Sequence, residues 1–185
     1  MASKEKTVAL ARLLHEDCTQ LLELYTTRET LPSNSVSGSQ LVSIPPLTPQ
    51  LSSTEKICFL HAALRACLHL MDKAITREDT MFPDIPEDEY IKQRKTVRDR
   101  LSHLVFSTER LLVGQKRFDA EEKDLMDGSG TFALKKWILQ VLQDVVHWSK
   151  KTAETLQNLP ALTRAKRTTR TRRATRKQGA RKLHK

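Results

Sequence analysis

The side chains best equipped for chemistry are six histidines (His15, His61, His69, His103, His147, His184) and three cysteines (Cys18, Cys58, Cys67). Metal ligation from a helix asks for two imidazoles one turn apart, as in H-x-x-x-H, with a carboxylate or thiolate to complete the set. No two of these histidines have that spacing. The cysteines are odd in number and show no C-x-x-C, which predicts free thiols rather than a disulfide framework. On one helix Cys58 and Cys67 would stand roughly 13 Å apart, out of bridging reach. No glycine-rich phosphate loop and no nucleophile motif around a serine or cysteine is present. The expectation is a protein that is not an enzyme and uses no cofactor or metal, so recognition is the chemistry to look for.

Charge is the first recognition signal. The chain carries a formal net charge of +10, but eleven of its 32 Lys and Arg residues lie between Pro160 and Lys185, where there is no acid. The remainder holds 21 basic against 22 acidic residues. A nucleic-acid-binding fold is expected to carry its positive patch on the folded surface, whereas here a near-neutral body bears a cationic appendage. That run (Arg164, Lys166, Arg167, Arg170, Arg172, Arg173, Arg176, Lys177 and beyond) has no aromatic residue to stack on bases. It reads as a disordered tail over 160–185 that binds heparan sulfate or another polyanion, serves as a nuclear localisation signal, or only solubilises the chain.

The elements that must position any recognition surface are helical. The chain has five glycines and seven prolines, and its apolar residues recur at three and four positions, the period of an amphipathic helix. Leu10, Leu14, Cys18, Leu21 and Tyr25 mark a helix over about 4–28. Ile57, Leu60, Leu64, Leu68, Met71 and Ile75 mark one over 54–76, capped by Ser53 or Thr54. Tyr90, Val97, Leu101, Leu104, Val105, Thr108 and Leu112 mark a third over 87–113, with Gly114 as its stop. Leu134, Ile138, Val141, Val145 and Trp148 mark a fourth over 131–158, closed by Pro160.

The first and last connections are long enough to run the length of a bundle, while the middle one, around Pro83 and Pro86, suits an antiparallel turn. An all-α, up-up-down-down four-helix bundle with two long crossover loops is therefore expected over residues 1–159. The N-terminus, Met-Ala-Ser-Lys-Glu-Lys, lacks the apolar run of a secretory signal, and no stretch reaches the ~18 apolar residues of a membrane span. Cytoplasmic synthesis without membrane insertion is the expectation.

Two aromatics fall off the core stripes. Phe132 is nine residues before Val141, about 180° around the fourth helix, and Lys135 lies about 60° from it on the same outer side. Phe132 is either an interface ring entering a partner's pocket or a satellite contact folded under the loop before it. Phe106 is about 140° from Leu101 on the third helix, near Asp99, His103 and Arg110. Trp137 and Trp148, by contrast, sit close to the stripe of their helix and read as core.

Ala11-Arg12, Asp17, Thr19, Leu21, Glu23 and Tyr25 in the first helix, and the gapless run Gly130, Phe132-Ala-Leu-Lys135-Lys136-Trp137, Val141-Leu142-Gln143, Trp148 and Leu156 in the fourth, are together distinctive. They resemble the ciliary neurotrophic factor group of the interleukin-6 family, long-chain four-helix cytokines. The resemblance covers about a quarter of the chain; the second and third helices offer no matching motif.

The resemblance implies a cytokine or neurotrophic ligand that assembles a specificity receptor, glycoprotein 130 and the leukaemia inhibitory factor receptor, and drives JAK-STAT signalling. It also implies a protein made in the cytoplasm and released by a non-classical route. In that family a Phe-x-x-Lys pair meets the leukaemia inhibitory factor receptor, which falls here on Phe132 and Lys135. The glycoprotein 130 face falls on Arg12, Glu16, Glu23, Phe106 and Arg110. Lys151 keeps a cation of the specificity-receptor site, where Thr155 and Gln157 replace the family's acid and arginine. The competing expectation from another class is an intracellular helical protein that binds nucleic acid through its tail.

Overall fold

The computed structural model describes residues 4–30, 40–112, 114, 117–123 and 130–160. Four helices carry the fold: α1 (Lys4–Glu29), α2 (Ser53–Met81), α3 (Glu89–Leu111) and α4 (Thr131–Asn158). Two short strands, β1 (Val42–Ser43) and β2 (Glu121–Glu122), lie in the two long connections.

The helix order follows from which residues meet. Arg12 reaches Gln157 at one end of α1 and Tyr25 reaches Lys135 at the other, so α4 runs antiparallel to α1. Asp17 pairs with Arg100 and Arg28 with Asp88, so α3 also opposes α1. Helix α2 opposes α3 through His61–Thr108, Asp72–Arg98 and Glu78–Arg94. It opposes α4 as well, with Ile57 packed near Leu156 and the Arg77 guanidinium 4.4 Å from the Trp137 ring centre. Helices α1 and α2 are thus parallel to each other and antiparallel to α3 and α4, and each of the first two packs on both of the last two. This is the expected up-up-down-down bundle.

The core consists of the inward stripes. Leu14, Leu21 and Tyr25 of α1, Leu60, Leu64 and Leu70 of α2, Val97, Leu101 and Leu104 of α3, and Leu134, Trp137 and Val141 of α4 are all buried. Trp148 is buried with them, so both tryptophans belong to the core as expected. A fully buried aromatic or branched aliphatic side chain contributes about 1.5–3 kcal/mol by leaving water, and such residues from all four helices, with buried alanines between them, hold the helices in register.

Several boundaries differ from the sequence reading, each for a local reason. The cap of α2 is Ser52 rather than Ser53 or Thr54. Its hydroxyl accepts from the Glu55 main-chain N–H at 3.2 Å while the Glu55 carboxylate accepts from Ser52 N–H at 2.8 Å, a reciprocal capping box. Helix α2 runs five residues past 76, because Glu78 is buried there against α3 and gives the last turn a tertiary partner. Helix α3 begins at Glu89, after Asp88 accepts from Ile91 N–H at 3.0 Å. It ends at Leu111, and Gly114 with φ +82° lets the chain turn away.

The long connections are not featureless. Val42 pairs with Glu122 and Ser43 with Glu121 in an antiparallel ribbon, so the first and third connections bind each other across the bundle. The tail from 161 to 185, with its candidate cations, lies outside the described residues, as does most of the polar stretch before α4.

Candidate functional site

Phe132 stands in the first turn of α4 with 71% of its surface exposed, the largest exposure of any big apolar side chain among the described residues. This agrees with its predicted place opposite the core stripe. The stretch of loop before α4 under which it would fold as a satellite contact lies mostly outside the described residues. Gly130 stands at the N-cap of α4, where its φ of +105° is one only glycine adopts easily and its missing side chain leaves the helix without a side-chain capping bond.

Lys135 differs from the sequence reading in its surroundings. Its ammonium pairs with the Glu29 carboxylate at the end of α1, and its side chain is 31% exposed against 10% for Glu29. The same residue's main-chain carbonyl accepts the Tyr25 hydroxyl at 3.1 Å. Its Nζ also lies 5.8 Å from the Phe82 ring centre. Lys135 is therefore engaged within the bundle rather than standing free beside Phe132.

Beside this end of the molecule is a cavity of about 500 Å³. Arg28, Glu29 and Lys135 line one side, and Met81 at the end of α2 with Phe82, Pro83 and Ile85 of the turn that follows line the other. Met81 is itself exposed. Sequence reasoning missed Glu29, Met81 and Phe82. No periodic signal marks a residue that closes a helix and meets another helix more than a hundred positions away.

The five residues expected to form one face on the first and third helices are divided. Arg12 leans toward α4, its Nη2 donating to Gln157 Oε1 at 2.7 Å. Glu16 and Glu23 are exposed on α1, and Glu23 lines a furrow of about 480 Å³ between α1 and the start of α3 with Leu24, Arg28 and Tyr90. Phe106 is 58% exposed and has the Arg110 guanidinium 5.6 Å from its ring centre. Arg100, which reaches α1, is six residues earlier and so about 120° around α3 from Phe106, whereas Arg98, which reaches α2, is about 80° away. Arg110 is about 80° from Arg100 and 120° from Arg98, so the Phe106–Arg110 pair points outward midway between the α1 and α2 sides of α3, on a different helix from Glu16 and Glu23. Lys151 is exposed on α4, one turn after His147, whose proton affinity is lowered by burial and by the neighbouring Lys151 charge.

The buried titratable groups hold the frame. Asp144 of α4 accepts the main-chain N–H groups of Leu41 and Val42 at 2.8 Å each. Burial pushes its carboxyl up to about 6. His61 meets the Thr108 hydroxyl at 3.0 Å and burial lowers its proton affinity. Cys18 and Cys67 are free thiols in the core, and burial raises both far above the ordinary thiol range. A thiol so held is poorly nucleophilic. Among the described residues no group of His, Cys, Asp or Glu is arranged to hold a metal, and no helix is long and apolar enough to cross a membrane.

With this geometry in hand, comparison with known proteins gives two results. No family model matches the chain. Over 162 residues the chain is 26% identical to ciliary neurotrophic factor of Oryctolagus cuniculus, a span covering 82% of this chain and 79% of that protein. The chain is similar to that factor along most of its length, beyond the two helices on which the resemblance first rested.

Proposed function

We propose that this chain is a receptor-binding cytokine of the ciliary neurotrophic factor type, within the interleukin-6 family, and that it acts by docking rather than by catalysis. The observation that carries the reading is Phe132. A large aromatic ring stands 71% exposed at the uncapped start of α4, on an up-up-down-down bundle similar in sequence to such a factor. Leaving a phenyl ring in water forgoes about 1.5–3 kcal/mol of burial, and a ring that fills a partner's pocket recovers it at the centre of an interface.

In this reading the Phe132 and Lys135 turn meets the leukaemia inhibitory factor receptor. Glycoprotein 130 is met through exposed residues of α1 and α3, with Glu16 and Glu23 in one group and Phe106 and Arg110 in another. Lys151 and the neighbouring end of α4 face a specificity receptor, and assembly drives JAK-STAT signalling. Residues up to 159 form the cytokine domain. The cationic residues from Arg164 to Lys177 are the appendage that retains the ligand on heparan sulfate. Synthesis in the cytoplasm and non-classical release complete the proposal.

The test is STAT phosphorylation in cells bearing glycoprotein 130 and the leukaemia inhibitory factor receptor, with and without a ciliary neurotrophic factor specificity receptor. Wild type is expected to signal and Phe132→Ala to lose the response while keeping its helical content. A folded wild-type protein silent in both cell lines would sink the reading. Weight would then pass to the tail, whose eleven cations would bind nucleic acid with a steep salt dependence.

A further inference from the structure

We infer that Lys135 serves this site as a positioning residue: together with Glu29 and Tyr25 it braces the first turn of α4 from α1, and Phe132 is the side chain that the turn presents to the partner. The inference rests on the receptor-binding reading above and assigns a role within it to three residues.

The first turn of α4 has little to hold it locally. Gly130 provides no side-chain cap, the turn contains no acidic residue, and Lys135 and Lys136 follow close behind. Cations near a helix N-terminus oppose the helix dipole, and a missing cap leaves orphan N–H groups in water. Such an end frays unless another element holds it. Helix α1 does so twice at one residue, through the Tyr25 hydroxyl on the Lys135 carbonyl at 3.1 Å and the Glu29 carboxylate on the Lys135 ammonium. Tyr25 is fully buried, with its ring centre 5.5 Å from that of Tyr90, so the donor is fixed. The Glu29 carboxylate also brings to this helix end the negative charge that the α4 sequence lacks.

For Lys135 to bind a carboxylate on a partner it would first have to leave Glu29. The Glu29 side chain is 10% exposed, and separating the pair takes from a largely buried carboxylate the nearer of its two cations. Arg28 stands 3.6 Å from Glu29 and is also near Asp88, at 3.9 Å. Keeping the pair requires no such separation, and Phe132, three residues earlier and on the outside, stays held at a fixed angle. Loss of Lys135 would then weaken docking through the position of Phe132.

A charge swap separates the two roles. Full-length Glu29→Lys, Lys135→Glu, the double exchange and Phe132→Ala are compared for affinity to the leukaemia inhibitory factor receptor ectodomain by surface plasmon resonance. Helical content and amide exchange over residues 132–138 are measured on the same proteins. Each single reversal is expected to weaken binding about tenfold and to speed exchange of those amides, while the double exchange returns to within about threefold of wild type. Arg28 beside a lysine at position 29 accounts for the incomplete return. If the double exchange binds as poorly as Lys135→Glu while Glu29→Lys binds like wild type, Lys135 touches the receptor itself and the inference falls.

Should a reversal fail to fold, Tyr25→Phe removes the other brace without changing any charge. It is expected to weaken binding about threefold, and wild-type affinity in that variant overturns the positioning role. If Phe132→Ala binds as wild type, the receptor reading fails instead. Amide exchange still reports on the brace in that case, and exchange unchanged by the single reversals rejects it independently.

Discussion

The Asp144 carboxylate of α4 accepts the main-chain N–H of Val42 at 2.8 Å, fastening the first crossover to the bundle at the point where it pairs with the second. The same oxygen takes the Leu41 N–H at the same distance. Removing the acceptor leaves two buried donors unpaired, so Asp144→Ala is expected to cost about 2–4 kcal/mol. Urea unfolding followed by circular dichroism would measure it.

The same residue sets a pH dependence with a definite sign. Burial pushes the Asp144 carboxyl up to about 6 from an ordinary 3.8, against the pull of its two N–H donors. The folded chain therefore holds this proton at higher pH than the unfolded chain. The group contributes stability below about pH 4 that is lost as pH rises through about 6. The stability difference between wild type and Asp144→Asn should accordingly decline between pH 4 and 6 and level off above. A difference that is flat with pH, or rises, would show that the carboxylate is not held as described.

Buried charge at the other end of α2 predicts a different response. Arg94 donates to Glu78 Oε2 at 2.6 Å and to Asp79 Oδ1 at 2.8 Å, and the Tyr90 hydroxyl donates to the same Glu78 oxygen at 2.9 Å. Arg94→Met leaves the Glu78 carboxylate buried without its cation and is expected to cost about 3–5 kcal/mol. Tyr90→Phe removes one bond to a charged acceptor and should cost about 1.5–3 kcal/mol. Arg94→Met combined with Glu78→Leu should regain only part of the loss, because the apolar pair removes the buried charge but leaves the Tyr90 hydroxyl without its acceptor. Thermal unfolding of the four proteins decides this.

How far the sequence revealed the molecule depends on the range of the interactions involved. Leu14, Leu64, Leu101 and Val141 were legible as core because each sits on a stripe that repeats within its own helix. Phe132 was legible as exposed by the same rule, since nine residues from Val141 is half a turn out of phase. The end of α2 was misplaced because its last turn is held by Glu78, a residue type that signals surface, against partners on α3. The Ser52 cap was present as Ser-x-x-Glu through Glu55, one residue before the first of the two expected caps. The ribbon of Val42 and Glu122 had no signal, as two-residue strands have no period and their anchor Asp144 looks like any polar helix residue. Lys135 was read as standing on the outer side beside Phe132, but its partner Glu29 lies on another helix and no local pattern connects them.

The exposed aromatic of α3 gives a prediction about how many surfaces the bundle presents. Phe106 is 58% exposed, so Phe106→Ala should change stability by less than about 0.5 kcal/mol. Arg110 lies over its ring at 5.6 Å, and the two side chains should act as one unit in binding. Against the glycoprotein 130 ectodomain, Phe106→Ala and Arg110→Ala are each expected to weaken affinity, with the double substitution little worse than Phe106→Ala alone. Glu23, in the furrow with Leu24 and Tyr90, lies on a separate element. Its substitution by Ala should add to that of Phe106 within about 0.5 kcal/mol, as for sites that share no partner. Strong coupling between Glu23 and Phe106 in that double-mutant cycle would mean that one receptor module spans both helices. Additivity would mean that the α1 furrow and the Phe106 pair engage their partner as two distinct contacts.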